Sequence, residues 1–497
     1  MPAPLAVHTT SAPLLESAAD VLMLPIRQDG ALTENAAAAD ALLDGLLTDM
    51  RDRREFRGEA YQVAVIPTLG RLRAPRLALV GLGKEAEGTL NTCRLAMAAA
   101  SRAVGKRGLP RAAVDVADWP FPADEVAVVL AEGAELSRYA ADPYRTTERR
   151  DVALAELEVA GASEAALREG AIRGRARNLA RELVNEPGNK LDPPELASRA
   201  AALAADVGLE CQILDEAHME NLEMGAILAV TRGSEVPARF IVLRHEGGPE
   251  KNGAPLLALV GKAVTFDTGG ISIKPSAEMG RMKGDMAGGA AVIAAMGAIA
   301  ELGLPVNVIG LVPAAVNMPD GRAWKPGDVI TAMSGATIET VTTDAEGRML
   351  LADAVTYART LGATHIVDIA TLTGACVVAL GHVASGLYGT DDALVEAVRA
   401  GGEAAGERHW PMPLFREYRE LIRSEIGDLK NSGGRAAGSV TAAWFIREFA
   451  KDTPWAHLDI AGTSSYEKPR PWAPAGPTGT GVGTFINLAR WFAEQQQ

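Results

Sequence analysis

Short, uninterrupted apolar runs alternate with helical stripes along this chain, and that alternation leaves few architectures open. In the first part, Val21–Ile26, Gln62–Pro67 and Arg76–Gly81 are runs of this kind, and Leu95–Val104 and Glu125–Tyr139 carry helical spacing. A strand that is apolar on both faces has to be covered on both faces, so the pattern predicts helices packed on a mainly parallel sheet. The turn Gly81-Leu-Gly-Lys84 lacks the third glycine of a dinucleotide fingerprint and the rest of a P-loop, and reads as a strand-to-helix turn. Residues 150 to about 184 are rich in Ala, Glu and Arg and read as a long connecting helix, closed by the turn formers of Asn185–Pro194.

A second series follows. Its strand candidates are Cys211–Leu214, Ala226–Val230, Phe240–Arg244, Leu256–Val260, Val306–Val312, His365–Ile369 and Ala456–Ile460. Its helix candidates are Leu196–Val207, Gly288–Leu302, Glu346–Leu361, Leu414–Ile422 and Thr441–Phe449. The expectation is two α/β domains: residues 1–160, a connecting helix to about 180, and a larger domain over 181–497.

Charge and cysteine content narrow the chemistry. Against 49 Lys and Arg stand 63 Asp and Glu, a net charge of −14, so nucleic acid is a poor default partner. The small basic clusters Arg51–Arg54 and Arg71–Arg76 read as solvated faces. Cys93, Cys211 and Cys376 are far apart and show no CxxC spacing, which leaves neither a disulfide framework nor a thiolate zinc site. The start of the chain has no signal-peptide pattern, and the apolar run Met286–Ala300, at 15 residues, falls short of the roughly 20 that span a bilayer. The expected location is cytoplasmic.

Charges then appear where core is expected. Val260–Pro275 begins as a buried strand but carries Lys262, Asp267 and Lys274, and Asp285 precedes the helix at Gly288. Thr342-Thr-Asp-Ala-Glu-Gly-Arg348 opens a helix with a one-sided apolar stripe at 350, 351, 354, 355, 358 and 361. Each piece alone has a plain explanation. Thr343 and Glu346 have capping-box spacing, Asp344 would complement a helix dipole, Asp267 could be a turn acid, and a strand lysine commonly snorkels outward. Their conjunction says more. Asp267, Asp285, Asp344 and Glu346 all fall at strand ends or helix starts of one domain, where α/β sheets collect their sites. Four converging carboxylates repel unless cations lie between them, and hard oxygen donors with few histidines suit divalent ions in a two-metal site. No HExxH occurs, so a zincin is excluded.

Gly261-Lys-Ala-Val-Thr-Phe-Asp-Thr-Gly-Gly-Ile-Ser-Ile-Lys-Pro275 and Thr343-Asp-Ala-Glu-Gly-Arg348, with Asp285–Gly289, Asp368–Gly374 and His457–Gly462, closely resemble the leucine aminopeptidase (cytosol aminopeptidase) family of dinuclear metal peptidases. The resemblance is dense over residues 180 to 490. It implies a smaller N-terminal α/β domain and a larger C-terminal α/β/α catalytic domain with a central mixed sheet. It assigns one divalent ion, Zn or Mn, to Asp267, Asp344 and Glu346, and a second to Lys262, Asp267, Asp285 and Glu346. Asp344 would also ligate through its carbonyl. Lys274 and Arg348 would be catalytic, the first meeting the oxyanion and the second holding a bicarbonate proton shuttle. By position Met282, Thr371, Gly374, Ala461 and Ser464 would line the pocket for the N-terminal residue, leucine or similar. The family further implies short peptide substrates, a homo-hexamer built as two trimers, and in some members DNA binding or scaffolding as the alternative role. One departure stands out: Thr342 occupies a position where the family usually has Asn, and a hydroxyl cannot reproduce an amide's two-ended contact.

Overall fold

A computed structural model describes residues 5–147, 153–249 and 254–495. The chain forms two compact units: Met1–Asn178 with Glu467–Gly476, and Leu179–Tyr466 with Pro477–Gln497.

Among the described residues, the first unit holds a six-stranded sheet built from β1 (Ala6–Thr10), β2 (Val21–Arg27), β3 (Val63–Pro67), β4 (Arg76–Gly83), β5 (Arg111–Asp115) and β6 (Glu156–Ala160), in the order β1-β6-β5-β2-β4-β3. Its pairs are parallel except the edge pair β3–β4. Successive residues of β2 explain why its run is unbroken. Val21 and Met23 pack with the helices Leu90–Gly105 and Ala123–Leu136, whereas Leu22, Leu24 and Ile26 pack with Ala36, Ala39, Leu43 and Phe56 on the other face.

The second unit is larger and carries a mixed nine-stranded sheet. Its strands are β7 (Glu210–Leu214), β8 (Arg239–Glu246), β9 (Leu257–Gly261), β10 (Ala263–Asp267), β11 (Asn307–Asn317), β14 (His365–Ala370), β15 (Ser385–Gly389), β16 (His409–Pro411) and β18 (Trp455–Asp459), and a separate small sheet joins β12 (Val329–Thr331), β13 (Thr337–Glu339) and β17 (Leu429–Lys430). The order β16-β15-β18-β14-β9-β11-β8-β7 has a parallel centre, β18-β14-β9-β11, with β10 parallel to β11 beyond β9. Antiparallel pairs lie outside that centre, at β15–β18, β11–β8 and β8–β7. Met349, Leu350 and Val355 of the helix Glu346–Thr360 bury against Val260, Ile309 and Leu311 in one continuous core that also takes in Phe445 and Phe449 of the helix Gly438–Ala450. The helix Ala287–Glu301 is buried almost throughout, as the lack of any polar residue before Glu301 requires. No described helix is long and apolar enough to cross a membrane.

Three sequence expectations are corrected. Ala226–Val230 is not a strand but part of the helix Gly225–Thr231. A short apolar run suits either state, and the buried carboxylate of Asp353, accepting from the Ile227 N–H at 2.9 Å, provides the helix with a start. Residues 150–152 lie outside the described residues, and 153–184 do not form one helix. Leu157 and Val159 alternate with half-buried glutamates in β6, Gly161 turns the chain at φ +74°, and the helix runs Glu164–Asn185. The expected helix Leu414–Ile422 is a 3₁₀ turn over Arg416–Ile422. In addition, Gly81 and Gly83 end β4 rather than stand as a separate turn.

Packing is tight where the helix Ala287–Glu301 meets the sheet. A Cβ on Gly288 would lie 2.1 Å from the Ile369 carbonyl oxygen and 3.2 Å from the Lys262 nitrogen. Gly288→Ala is therefore expected to cost about 1–3 kcal/mol and lower the melting temperature. A thermal scan beside the parent protein checks this, and an unchanged Tm would show that the helix shifts freely.

Candidate metal centre

The carboxyl ends of the central parallel strands define one region. The chain bends at Lys262 between β9 and β10, Asp267 ends β10, Thr371 follows β14, and Asp285 and Glu346 sit at the starts of the two helices that cover the sheet. The geometry follows from this placement. Lys262, its side chain 3% exposed, puts Nζ 2.8 Å from both Asp285 Oδ2 and Glu346 Oε1 and donates to the Thr371 carbonyl at 3.1 Å. It does not snorkel. A Cβ on Gly347 would lie 2.7 Å from that Nζ, so the first helical turn accepts the lysine only because it is bare there. Lys274 returns over the loop after Gly269 and Gly270, places Nζ 2.7 Å from Asp267 Oδ2, and also pairs with Asp344. Both glycines have positive φ, +86° and +65°, which lets the loop fold back against Thr343 and Asn317.

Asp267, Asp344 and Glu346 each offer an oxygen, and the three lie within 4.8 Å of one another. Asp285 belongs to the same cluster through Lys262, and its Oδ1 also accepts from the Thr371 hydroxyl at 2.8 Å. With all six groups ionised, four carboxylates (−4) face two ammoniums (+2), an excess of two negative charges. The titration behaviour follows. Burial lifts the carboxyls of Asp267, Asp285 and Asp344 above their ordinary range, and Glu346 adds repulsion to each. Burial acts the same way on Glu346, but Lys262 and Lys274 outweigh it and hold its carboxyl low. For Lys262, burial favours the neutral amine, yet Asp285, Glu346 and Asp267 prevail and keep the ammonium charged. Glu346 Oε2 is buried without a hydrogen-bond partner. Clustered hard oxygens, an orphaned carboxylate oxygen and the Lys262 nitrogen, a donor once a cation displaces its proton, fit a site for divalent cations.

The capping-box spacing of Thr343 and Glu346 is not used as one. The Thr343 hydroxyl donates to the Gly269 carbonyl at 2.6 Å and accepts from the Ser272 N–H at 2.8 Å, and the residue at the helix N-cap is Ala345. The turn reading of Asp267 is present within the site, since Asp267 Oδ1 accepts from the Gly269 N–H at 2.8 Å.

Arg348 is buried on the same helix, donates from Nη1 to the Asn431 carbonyl at 2.8 Å, and has its pKa pulled down to about 10 by burial. Of the five pocket positions, Thr371 touches the cluster directly. Met282 is linked through its carbonyl to the Asp285 N–H at 3.3 Å, and Gly374 opens the helix Gly374–Leu380. Ala461 shares an anchor with the 371–374 turn: Asp459 Oδ1 accepts from the N–H groups of Leu372, Thr373 and Ala461, and Oδ2 from the Thr373 hydroxyl at 2.6 Å. Ser464 lies further along that turn, bonded through its backbone to Ile460 and Thr478. Away from the cluster, Arg53 pairs with Asp49 and Arg71 with Asp44, so the basic clusters are partly neutralised.

Three further residues hold the site. Asp459 falls within the His457–Gly462 motif, which by itself assigns it no role, and Asn317 and Asn431 carry no local sign in the sequence. Asn317, fully buried at the end of β11, donates from Nδ2 to Asp267 Oδ1 at 2.8 Å and to the Thr343 carbonyl at 3.0 Å. It thereby fixes Oδ1 and leaves Oδ2 facing the cluster.

The family models matched are "Cytosol aminopeptidase family, catalytic domain" over residues 178–486 and "Cytosol aminopeptidase family, N-terminal domain" over 23–148. A probable cytosol aminopeptidase of Geobacter sulfurreducens is 45% identical over 478 residues, covering 94% of this chain and 96% of that protein. One of Geotalea uraniireducens is 46% identical over 464 residues, 91% and 92% of the two chains. Among solved structures, a mutant of tomato leucine aminopeptidase aligns with TM-score 0.89 at 32% identity, over 99% of this chain and 97% of that one. The bottromycin maturation enzyme BotP in complex with Mn aligns with TM-score 0.85 at 38% identity, over 96% and 100%.

Asn317→Ala removes a donor that orients Asp267, a change that typically costs 10–100-fold in metal affinity, and a loss of about that size is expected. Titration of metal-stripped protein with Mn²⁺ checks it; unaltered affinity would show that the Gly269 N–H alone orients the carboxylate.

Proposed function

The chain belongs to the cytosol aminopeptidase family and is a metal-dependent aminopeptidase, and we propose that it releases N-terminal residues, leucine and similar ones foremost, from short peptides with two divalent ions per subunit. The observation that carries this reading is the convergence of Asp267, Asp344 and Glu346 within 4.8 Å, beside a buried lysine bonded to both Asp285 and Glu346. Asp267, Asp344 with its carbonyl, and Glu346 would hold one ion, and Lys262, Asp267, Asp285 and Glu346 the other. Zn or Mn suits this set, and the manganese-bound relative at 38% identity favours Mn. When bound, the two ions supply what the side chains lack: a water acidified at neutral pH, a polarised scissile carbonyl and a seat for a free α-amine.

The chain's own residues do the rest. Lys274, charged and with its side chain 23% exposed, is placed to meet negative charge developing on the carbonyl oxygen. The planar fork of Arg348 suits a bicarbonate that carries the proton to the leaving amine. Met282, Thr371, Gly374, Ala461 and Ser464 would receive the N-terminal side chain. By family, the working form is a cytoplasmic hexamer of two trimers. The charge of −14 and the locally paired arginines weigh against a DNA-binding role.

A panel of aminoacyl amides, free and N-acetylated, assayed with Zn²⁺, Mn²⁺, Co²⁺ and Mg²⁺ tests the reading. Turnover confined to free amines, with leucine among the best, is expected, and equal turnover of acetylated substrates would sink it. Ligand and catalyst separate by mutation. Asp267→Ala and Glu346→Ala should abolish activity and deplete both metals. Lys274→Ala should keep both metals while kcat falls by roughly 10²–10³, with Arg a poor rescue. Lys262→Ala should weaken one site, with excess metal restoring part of the activity. Metal lost from the Lys274 variant but retained by the Lys262 variant would reverse the two assignments.

A further inference from the structure

Thr342 has its side chain committed locally, since its Oγ1 accepts from the Asp344 N–H at 3.2 Å. An amide 89 residues further on makes a two-ended contact with this segment. Asn431, fully buried just after β17, accepts with Oδ1 from the N–H groups of Val341 at 2.8 Å and Thr342 at 3.3 Å, and donates from Nδ2 to the Thr342 carbonyl at 2.7 Å. Its own N–H donates to the Glu339 carbonyl at 2.9 Å, which extends the β13–β17 pairing and fixes where the residue stands. Its carbonyl is the acceptor for Arg348 Nη1 at 2.8 Å, and Arg348 Nε is buried with no partner among the described residues. One residue therefore grips both the backbone that leads into Asp344 and Glu346 and the guanidinium one helical turn later.

We propose that Asn431 is a positioning residue for the peptidase reaction: its side chain ties the 341–342 backbone to the point where its own main-chain carbonyl holds the Arg348 fork, so that losing the side chain lets the two move apart although the carbonyl remains. The inference rests on the reading that Arg348 takes part in turnover. A side chain acting only as a local staple would affect stability and metal retention. One acting through Arg348 affects kcat, and only while Arg348 is present.

A double-mutant cycle with Asn431→Ala and Arg348→Ala in the metal-loaded enzyme separates these, reading kcat, KM, bound metal and Tm for each variant. Arg348→Ala is expected to lower kcat by about 10²-fold or more. Asn431→Ala should lower kcat about 10- to 100-fold with KM within about threefold and both metals retained. Adding it to Arg348→Ala should cost less than about twofold further, because the two changes remove one function. Full additivity, an unchanged kcat, or a loss that follows metal content would overturn the proposal. An Arg348→Ala enzyme with parental kcat would instead overturn the reading beneath it. If the alanine variant fails to fold, Asn431→Asp repeats the cycle, since it keeps the acceptor oxygen and the shape but loses the donor to Thr342.

Discussion

The Lys262 ammonium between Asp285 and Glu346 is the interaction on which the rest turns. A buried carboxylate is costly, and this domain gathers three at one end of its sheet, Asp267, Asp285 and Glu346, with the exposed Asp344 beside them. The fold answers that cost in several ways at once. Lys262 stands between β9 and β10, so its charge comes directly from the sheet. Glu346 opens a helix and Asp285 lies two residues before another, where unpaired N–H groups and the helix dipole favour negative charge. The residual excess of negative charge is what makes the place receptive to divalent cations. In this sense the aminopeptidase chemistry is the other face of an electrostatic problem that the fold creates and only partly solves.

How much of this could be read from the sequence depended on the range of the interaction involved. The central strands were legible because continuous burial leaves continuous apolar runs, and the carboxylates were legible because charges interrupt those runs. Ala226–Val230 misled because five apolar residues suit a buried helix as well as a strand, and the deciding carboxylate, Asp353, lies 126 residues away. Residues 156–160 misled because their glutamates and alanines look helical, while the alternation that places Leu157 and Val159 inward spans only a few positions. Asn317 and Asn431 were out of reach altogether. Each acts by bonds across 26 to 90 residues, and an isolated asparagine carries no periodicity that would betray it.

The same dependence on distant partners separates the roles within the site. The clustered charges and Arg348 arrive on three short segments, 262–274, 285 and 342–348. The groups that hydrogen-bond these segments and the 371–374 turn, Asn317, Asn431 and Asp459, end or follow strands elsewhere in the sheets. Charge can be supplied locally, but direction needs a rigid frame, and the frame is assembled from most of the domain.

The division of the chain has a consequence for its biosynthesis. The first unit is not contiguous, because Glu467–Gly476 belongs to it, and Trp472 sets its ring 4.6 Å from that of Tyr61 in an edge-on contact. Domains usually fold in the order in which they leave the ribosome. Here the sheet β1–β6 can form early, but the unit stays incomplete until residue 476 of 497 has emerged, after every strand of the catalytic sheet. The first unit is therefore completed only shortly before the second, which still awaits Pro477–Gln497, and it cannot reach its final form on a nascent chain that lacks the sheet of the second unit.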